Sequence, residues 1–194
     1  LNHIATLYNT SKIYCIYINH GISKNSNDWY ETVKKRAGQY NNVVPMMFSV
    51  LWHNNEIKNE TACREKRYEI INQFALENNV QRIFTGHHKD DLVENKLISI
   101  VKNRIYNFKM KDNIIREFNF NNEVVKISYE KPLLKYKKSE IITYCIENNI
   151  QYVEDESNNV SDNIRNIIRN NFLNDLRNLN HGEQYIQSMN NFFN

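Results

Sequence analysis

Cysteine is scarce in this chain of 194 residues, which contains only Cys15, Cys63 and Cys145. An odd number of widely spaced cysteines argues against a disulfide framework and against a zinc ribbon. We expect three core thiols in a reducing compartment, and therefore a cytoplasmic protein.

Long hydrophobic runs are absent, because no apolar stretch approaches the roughly 18 residues that a membrane helix needs. We also expect no signal peptide ahead of Leu1. Hydrophobic residues make up 41% of the chain and charged residues 24%, which suits a core of one domain or little more. The net charge of +3 is too small to indicate nucleic-acid binding by itself.

Glycine is also rare, with four copies, whereas asparagine is abundant, with 34. We interpret this bias as the codon usage of an AT-rich genome. Most asparagines are then expected to carry no functional message.

Short apolar segments alternate with amphipathic helical segments along the chain. This alternation predicts an α/β fold with a doubly wound, mostly parallel sheet. We expect an α/β core over residues 1–130, truncated at its N-terminus, and a helical extension of the same catalytic domain over residues 131–194. The predicted strands are 12–18, 43–50, 81–85 and 150–153, with a hairpin at 119–127. The predicted helices end at about residues 7, 40, 77, 102, 148 and 179, and 180–194 is expected to be weakly structured.

Residues 85–95, T-G-H-H-K-D-D-L-V-E-N, are the densest group of proton or cation ligands in the sequence. They follow a short apolar strand and open a helix, the position at which open α/β sheets place ligands. Asp90, Asp91 and Glu94 have spacings of three and four, so they share one face of the helix. Acidic residues are favoured at a helix N-terminus in any case, so simple surface decoration is one alternative. A metal site is another, although the chain offers no H-E-x-x-H framework.

Five ordered blocks between residues 16 and 169 resemble motifs of the tRNA(Ile)-lysidine synthetase family, a branch of the PP-loop ATP pyrophosphatases. The stretch at 85–95 resembles the family's T-G-H-H-x-D-D-x-x-E-[TS]. The other blocks are I-Y-I-N-H-G-I at 16–22, A-C-R-E-K-R-Y at 62–68, K-P-L-L at 131–134 with K-S-E-I at 138–141, and E-D-E-S-N at 154–158 with R-N-I-I-R at 165–169. The family's S-G-G-x-D-S phosphate loop is absent from these 194 residues, and we expect it just upstream of the first helix.

The resemblance implies a two-step reaction that uses ATP and Mg²⁺. ATP adenylates the wobble cytidine in the CAU anticodon of tRNA(Ile), and the amine of free lysine then attacks C2 and displaces AMP. Lysine would bind Asp91 and Glu94, with Asp90 and His87 supporting them or the Mg²⁺ carried by ATP.

The remaining roles that the resemblance implies concern nucleotide, phosphate and tRNA. Arg67 and Arg165 would stabilise phosphate charge. The residues expected near ATP are Asn19, His20, Gly86 and His87. Those expected near tRNA are Arg64, Arg165, Asn166 and Arg169.

Two features of the sequence leave alternatives open for tRNA binding. The stretch 102–111 interleaves basic and aromatic residues, as in a solvated loop or in a groove for phosphates and bases. Arg165 and Arg169 are one helical turn apart; unpaired, they would prefer a phosphate, but they could instead bridge to Asp155 or Asp162.

Other functions and states also stay open. A tRNA thiolase of the same superfamily is one, although these depend on paired cysteines or a cluster held by C-x-x-C. A tRNA-binding relic without catalysis is another. A homodimer is compatible with the sequence.

Overall fold

A computed structural model of the protein describes residues 2–54, 56–104, 111–155 and 163–192. The chain forms two compact units. Unit 1 contains residues 1–80 with 151–153, and unit 2 contains residues 81–150 with 154–194. The division predicted at residue 130 concerns a core and its extension, and it stays a prediction.

Unit 1 is a two-stranded parallel sheet with helices on both faces. Its elements are α1 (Asn2–Leu7), β1 (Ile13–Asn19), α2 (Ser26–Ala37), β2 (Val43–Ser49) and α3 (Glu60–Glu77). Ile13 and Cys15 of β1 pack on the cluster of Ala5, Ala37 and Val43. The neighbouring Tyr14 faces the other way, and its ring meets Phe74 of α3 edge-on at 4.9 Å. Alternation along β1 therefore covers both faces of the sheet.

Unit 2 combines a three-stranded sheet with a group of helices. Its elements are β3 (Arg82–Phe84), α4 (Lys89–Val101), β4 (Asn113–Phe120), β5 (Glu123–Glu130), α5 (Lys138–Glu147), α6 (Ile164–Ile167), a π-helical turn (Ile168–Phe172), α7 (Leu173–Arg177) and α8 (Gly182–Phe192). The strand order is β3-β5-β4, with β3 parallel and β4 antiparallel to β5. Strand–helix alternation and parallel pairs in both units confirm the α/β class.

The hairpin of β4 and β5 turns at Asn121 and Asn122, whose φ angles are 51° and 66°. A two-residue turn with two positive φ angles matches the twist of the strands, and glycine is the usual residue there. Asn79, Asn103 and Asn149 also have positive φ angles, each just after a helix. In a chain with four glycines, asparagine fills left-handed positions because its short polar side chain tolerates them.

A proline inside a strand, such as Pro45, predicts an edge strand or an early bulge. Pro45 pairs with Cys15 in an unbroken register from Ile13 and Val43 onward, so no bulge forms. Ser26 and Asn27 are residue types that favour the N-cap position and predict the start of α2 there, but Asn25 holds that position. The Ser26 hydroxyl instead donates a hydrogen bond to the Ser23 carbonyl at 2.9 Å.

Two further predictions about the C-terminal third are wrong. Residues 150–153 form no strand. The Ile150 amide still donates to the Cys145 carbonyl at 2.7 Å, closing the end of α5, and Tyr152 and Val153 are 44% and 45% exposed. Residues 182–192 form α8 instead of a weakly structured end, because Ile186 is buried.

Helices α4, α6, α7 and α8 of unit 2 and the π-helical turn share one apolar core. Val93 of α4 packs with Ile168, Leu173 and Ile186, and Leu97, Leu176 and Met189 border them. This core fixes the inner face of α4 against the segment 164–177, and the charged face of α4 lies beside it. No helix among the described residues is both long and apolar enough to cross a membrane.

Candidate active site

The turn between β3 and α4 is held by its own side chains. His88 is the N-cap of α4; its amide donates to Asp91 Oδ2 at 2.9 Å, and the Asp91 amide donates to His88 Nδ1 at 3.4 Å. This reciprocal capping satisfies two donors of the helix start. His87 Nδ1 lies 2.8 Å from Thr85 Oγ1. The predicted role of Gly86 and His87 near ATP stays a prediction.

We call Asp90, Asp91 and Glu94 the acidic cluster, and Arg165, Arg169 and Arg177 the arginine row. The acidic cluster lies on one face of α4, as its spacing predicted, and the arginine row of segment 164–177 faces it. Three carboxylates therefore meet three guanidinium groups within unit 2. The formal charges of the two groups balance.

Glu94 and Arg169 form a two-point contact within this group. Arg169 Nε donates to Glu94 Oε1 at 2.6 Å and Arg169 Nη2 donates to Glu94 Oε2 at 2.8 Å. Glu94 is 1% exposed. The hydrogen bond to Glu94 raises the pKa of Arg169 despite its partial burial. Paired donors and acceptors of this kind fix orientation as well as charge.

Arg165 and Asp91 make looser contacts. Arg165 Nη2 donates to Asn95 Oδ1 at 2.8 Å, while Arg165 Nη1 lies 3.6 Å from Glu94 Oε2. Asp91 Oδ1 lies 4.0 Å from Arg165 Nη1 and 3.7 Å from Arg169 Nη2, beyond hydrogen-bonding distance. Asp91 thus has one oxygen fixed by the helix cap and one with only longer-range cationic neighbours.

Asp90 connects three helices. Its Oδ1 accepts a hydrogen bond from Arg177 Nη2, and its Oδ2 accepts one from the Lys138 amide, at the start of α5, at 2.6 Å. Both oxygens therefore bind groups of the protein itself. The predicted contact of Asp90 with Mg²⁺ carried by ATP stays a prediction.

Of the two alternatives left open for Arg165 and Arg169, pairing with carboxylates is the one observed, and the acidic cluster supplies these partners. Asp162, one proposed partner, lies outside the described residues, as does most of the basic stretch 102–111. Asn166 is 5% exposed, so its position does not favour the predicted contact with tRNA. Sequence reasoning missed Arg177 as a site residue.

Two residues predicted near ATP, Asn19 and His20, lie at the carboxyl end of β1 in unit 1. Asn19 Oδ1 accepts a hydrogen bond from the Gly21 amide at 2.8 Å, which closes a turn where Gly21 has a φ of 64°. His20 brings its ring inward, and neither ring nitrogen has a hydrogen-bond partner among the described residues. Trp52 Nε1 donates to the His20 carbonyl at 2.7 Å and so fixes this turn.

His20 and Arg67 lie close enough to interact, as expected if both serve one anionic ligand. Burial lowers the pKa of His20, and the charge of Arg67 lowers it further. The ring is therefore poised as a neutral hydrogen-bonding group. Arg64, in contrast, is exposed and lies over the Tyr68 ring at 5.6 Å.

We expect His20 to make stability fall in acid. Since its folded-state pKa is depressed below the ordinary value of about 6.5, the unfolded chain binds the extra proton first. The contribution of His20 to the free energy of unfolding is complete above about pH 6.5, and it is lost as the pH falls through the lower pKa of the folded state. The free energy of unfolding, measured with urea at about pH 7.5 and again at about pH 5.5, should fall less between these pH values for His20→Gln than for the parent protein. An unchanged difference would contradict this.

An α/β domain with polar side chains at the carboxyl ends of its parallel strands belongs to a class of domains that bind ligands at those strand ends. The chain belongs to the PP-loop family, because the sequence model of the family described as "PP-loop domain" matches residues 1–176.

Two proteins with similar sequences are tRNA(Ile)-lysidine synthases. A tRNA(Ile)-lysidine synthase of Rickettsia felis is 33% identical over 137 residues, which cover 70% of this chain and 29% of that protein. The synthase of Rickettsia prowazekii is 30% identical over 175 residues, 87% of this chain and 37% of its own length. These relatives confirm the resemblance to that family. The chain spans 29% and 37% of their lengths.

The fold comparison agrees. The fold is similar to that of the U34-tRNA thiolase NcsA from Methanococcus maripaludis, whose structure was solved with its [4Fe-4S] cluster. The match covers 99% of this chain and 67% of the thiolase chain, with a TM-score of 0.71 and 15% sequence identity. At this identity the match concerns the fold, which is that of a Rossmann-like PP-loop domain.

Proposed function

We propose that the protein takes part in lysidine formation on tRNA(Ile), as an ATP-dependent ligase that joins a carbon to a nitrogen. Cytidine C2 is a poor electrophile, so adenylation provides the leaving group that an amine can displace. The observation that carries the proposal is Asp91, a mostly buried carboxylate in the motif 85–95 with one oxygen outside hydrogen-bonding distance of its cationic neighbours.

Asp91 fits the recognition of an amine. Its Oδ2 is fixed by the His88 amide, so its Oδ1 presents a defined acceptor. Arg165 and Arg169 lie nearby and disfavour a second positive charge. The Asp91 carboxylate favours a protonated amine at Oδ1 and the two guanidinium groups weaken that preference, so the amine can pass its proton to Asp91 and become the neutral nucleophile that attack on C2 requires.

Glu94 takes a different role in this proposal from the one that the resemblance implies. Because both of its oxygens bind Arg169, we propose that it holds Arg169 beside Asp91. Direct binding of lysine by Glu94 stays a prediction. His20 and Arg67 are proposed to serve the nucleotide, since a buried neutral imidazole and an exposed guanidinium suit a base and a phosphate.

The test separates the two half-reactions with Asp91→Asn. We expect adenylation of tRNA(Ile) at a near-normal rate and lysine incorporation reduced about ten- to a hundredfold, the equivalent of roughly 1.5–3 kcal/mol for a charge-assisted contact. Single-turnover assays would follow adenylated tRNA with labelled ATP, and lysine transfer with labelled lysine.

Glu117→Gln is the matched control, because Glu117 forms an exposed pair with Lys126 on the hairpin. It should change neither step. Loss of adenylation in Asp91→Asn would assign Asp91 to the nucleotide instead of the amine. A parent protein that carries the phosphate loop and binds tRNA but forms no adenylate would favour the non-catalytic alternative.

A further inference from the structure

The segment 164–177 is one helical path interrupted by a π-helical turn at Ile168–Phe172. A regular α-helix turns 100° or so per residue, so Arg177 would lie about 80° around the axis from Arg169 and about 120° from Arg165. A π-helical turn accommodates roughly one additional residue without continuing this rotation. If one residue of the π-helical turn adds no rotation, Arg177 lies within about 20° of both Arg165 and Arg169 around the helix axis.

The contacts agree with this alignment. Arg165 and Arg169 contact Glu94 and Asp91, and Arg177 contacts Asp90 one turn nearer to the start of α4. The π-helical turn thus brings a third arginine onto the face that meets the acidic cluster. Turns of this kind often occur at functional sites because they realign side chains.

Arg177 also links the start of α4 to two other helices. Its Nε lies 3.3 Å from Glu183 Oε1 in the first turn of α8. Its Nη2 binds Asp90, whose second oxygen accepts from the Lys138 amide of α5. One guanidinium therefore ties α7 and α8 to the carboxylate that joins α4 and α5.

We propose that Arg177 is a positioning residue: by holding Asp90 it fixes the start of α4 in the register at which Asp91 meets the rest of the arginine row. Asp90 then acts as a clip between helices and not as a ligand for substrate or metal. The inference rests on the proposed function for its kinetic consequence. Its structural consequence can be measured without activity.

Arg177→Met tests the inference, because methionine keeps an unbranched apolar stem and removes the charge. We expect the KM for lysine to rise about tenfold, since a small displacement of a binding group is enough for that, while the rate of adenylation stays the same. Arg177→Lys, which restores a charge within reach of Asp90, should recover most of the loss. Amide hydrogen exchange at Lys138 should become faster in Arg177→Met.

Arg82→Met is the control. Arg82 also forms a two-point contact with a carboxylate of unit 2, binding Glu130 through Nε and Nη2 at 2.8 Å, but on β3 and β5. It should leave the KM for lysine and exchange at Lys138 unchanged. An equal rise in KM for Arg82→Met, or wild-type KM and exchange in Arg177→Met, would overturn the inference.

A failure of the proposed function can be told apart. If a parent protein that carries the phosphate loop transfers no lysine, that function falls, and exchange at Lys138 alone decides this inference. Faster exchange in Arg177→Met but not in Arg82→Met then supports the clip. Unchanged exchange in Arg177→Met overturns it.

Discussion

Replacing Glu94 with alanine is expected to lower the free energy of unfolding by about 3–5 kcal/mol, because it leaves a partly buried guanidinium without its carboxylate. Glu94 is 1% exposed, and both of its oxygens accept from Arg169. Urea unfolding of the parent protein and of Glu94→Ala, with the slopes compared, measures the loss.

The double variant Glu94→Ala with Arg169→Met is the control for this prediction. It removes both charges, so we expect it to be more stable than Glu94→Ala alone. Glu94→Gln should lie between the parent and Glu94→Ala, since it keeps one acceptor. A loss below about 0.5 kcal/mol for Glu94→Ala would mean that the pair contributes no more than an exposed ion pair.

Replacing Gly182 with alanine is expected to cost about 3 kcal/mol or slightly more, the upper part of the range for overpacking. A Cβ atom at Gly182 would lie 2.0 Å from the Leu176 carbonyl oxygen and 2.9 Å from the Arg177 Cα. Both are backbone atoms, which cannot rotate away. Relief requires a shift of α8, which carries the buried Ile186.

Gly38→Ala is the matched control. Gly38 has a φ of −63°, and its added Cβ would lie 3.4 Å from the Lys34 carbonyl oxygen, so alanine fits with a small adjustment. We expect it to be neutral or to add up to about 1 kcal/mol through the unfolded state. Thermal unfolding that gives equal losses for both variants would show that the close approach at Gly182 is not the cause.

Local pattern predicted most elements and the grouping of the acidic cluster. The spacing of Asp90, Asp91 and Glu94 placed them on one face, and Asn59 and His88 are N-caps of α3 and α4 whose side chains accept from amides of the first turn. Such features depend on neighbours in sequence, which is why periodicity and capping reveal them.

Features that depend on distant residues were not predictable in the same way. Arg177 is eight residues beyond Arg169, and only a π-helical turn brings the two onto one face. No residue type in 168–172 announces that turn. Likewise α8 is stabilised by burying Ile186 against Val93, a contact across 93 positions that its polar composition concealed. Tertiary packing overrode local preference in both places.

The return of Gln151–Val153 to unit 1 has a consequence for synthesis of the chain. Residues 81–150 must leave the ribosome before unit 1 can complete its contacts, although its first 80 residues emerge early. Unit 1 therefore cannot complete its contacts until most of unit 2 has been synthesised, unlike a domain built from one continuous segment. Closing so long a loop also costs more entropy than a local contact, so the order of assembly is built into the connectivity of the chain.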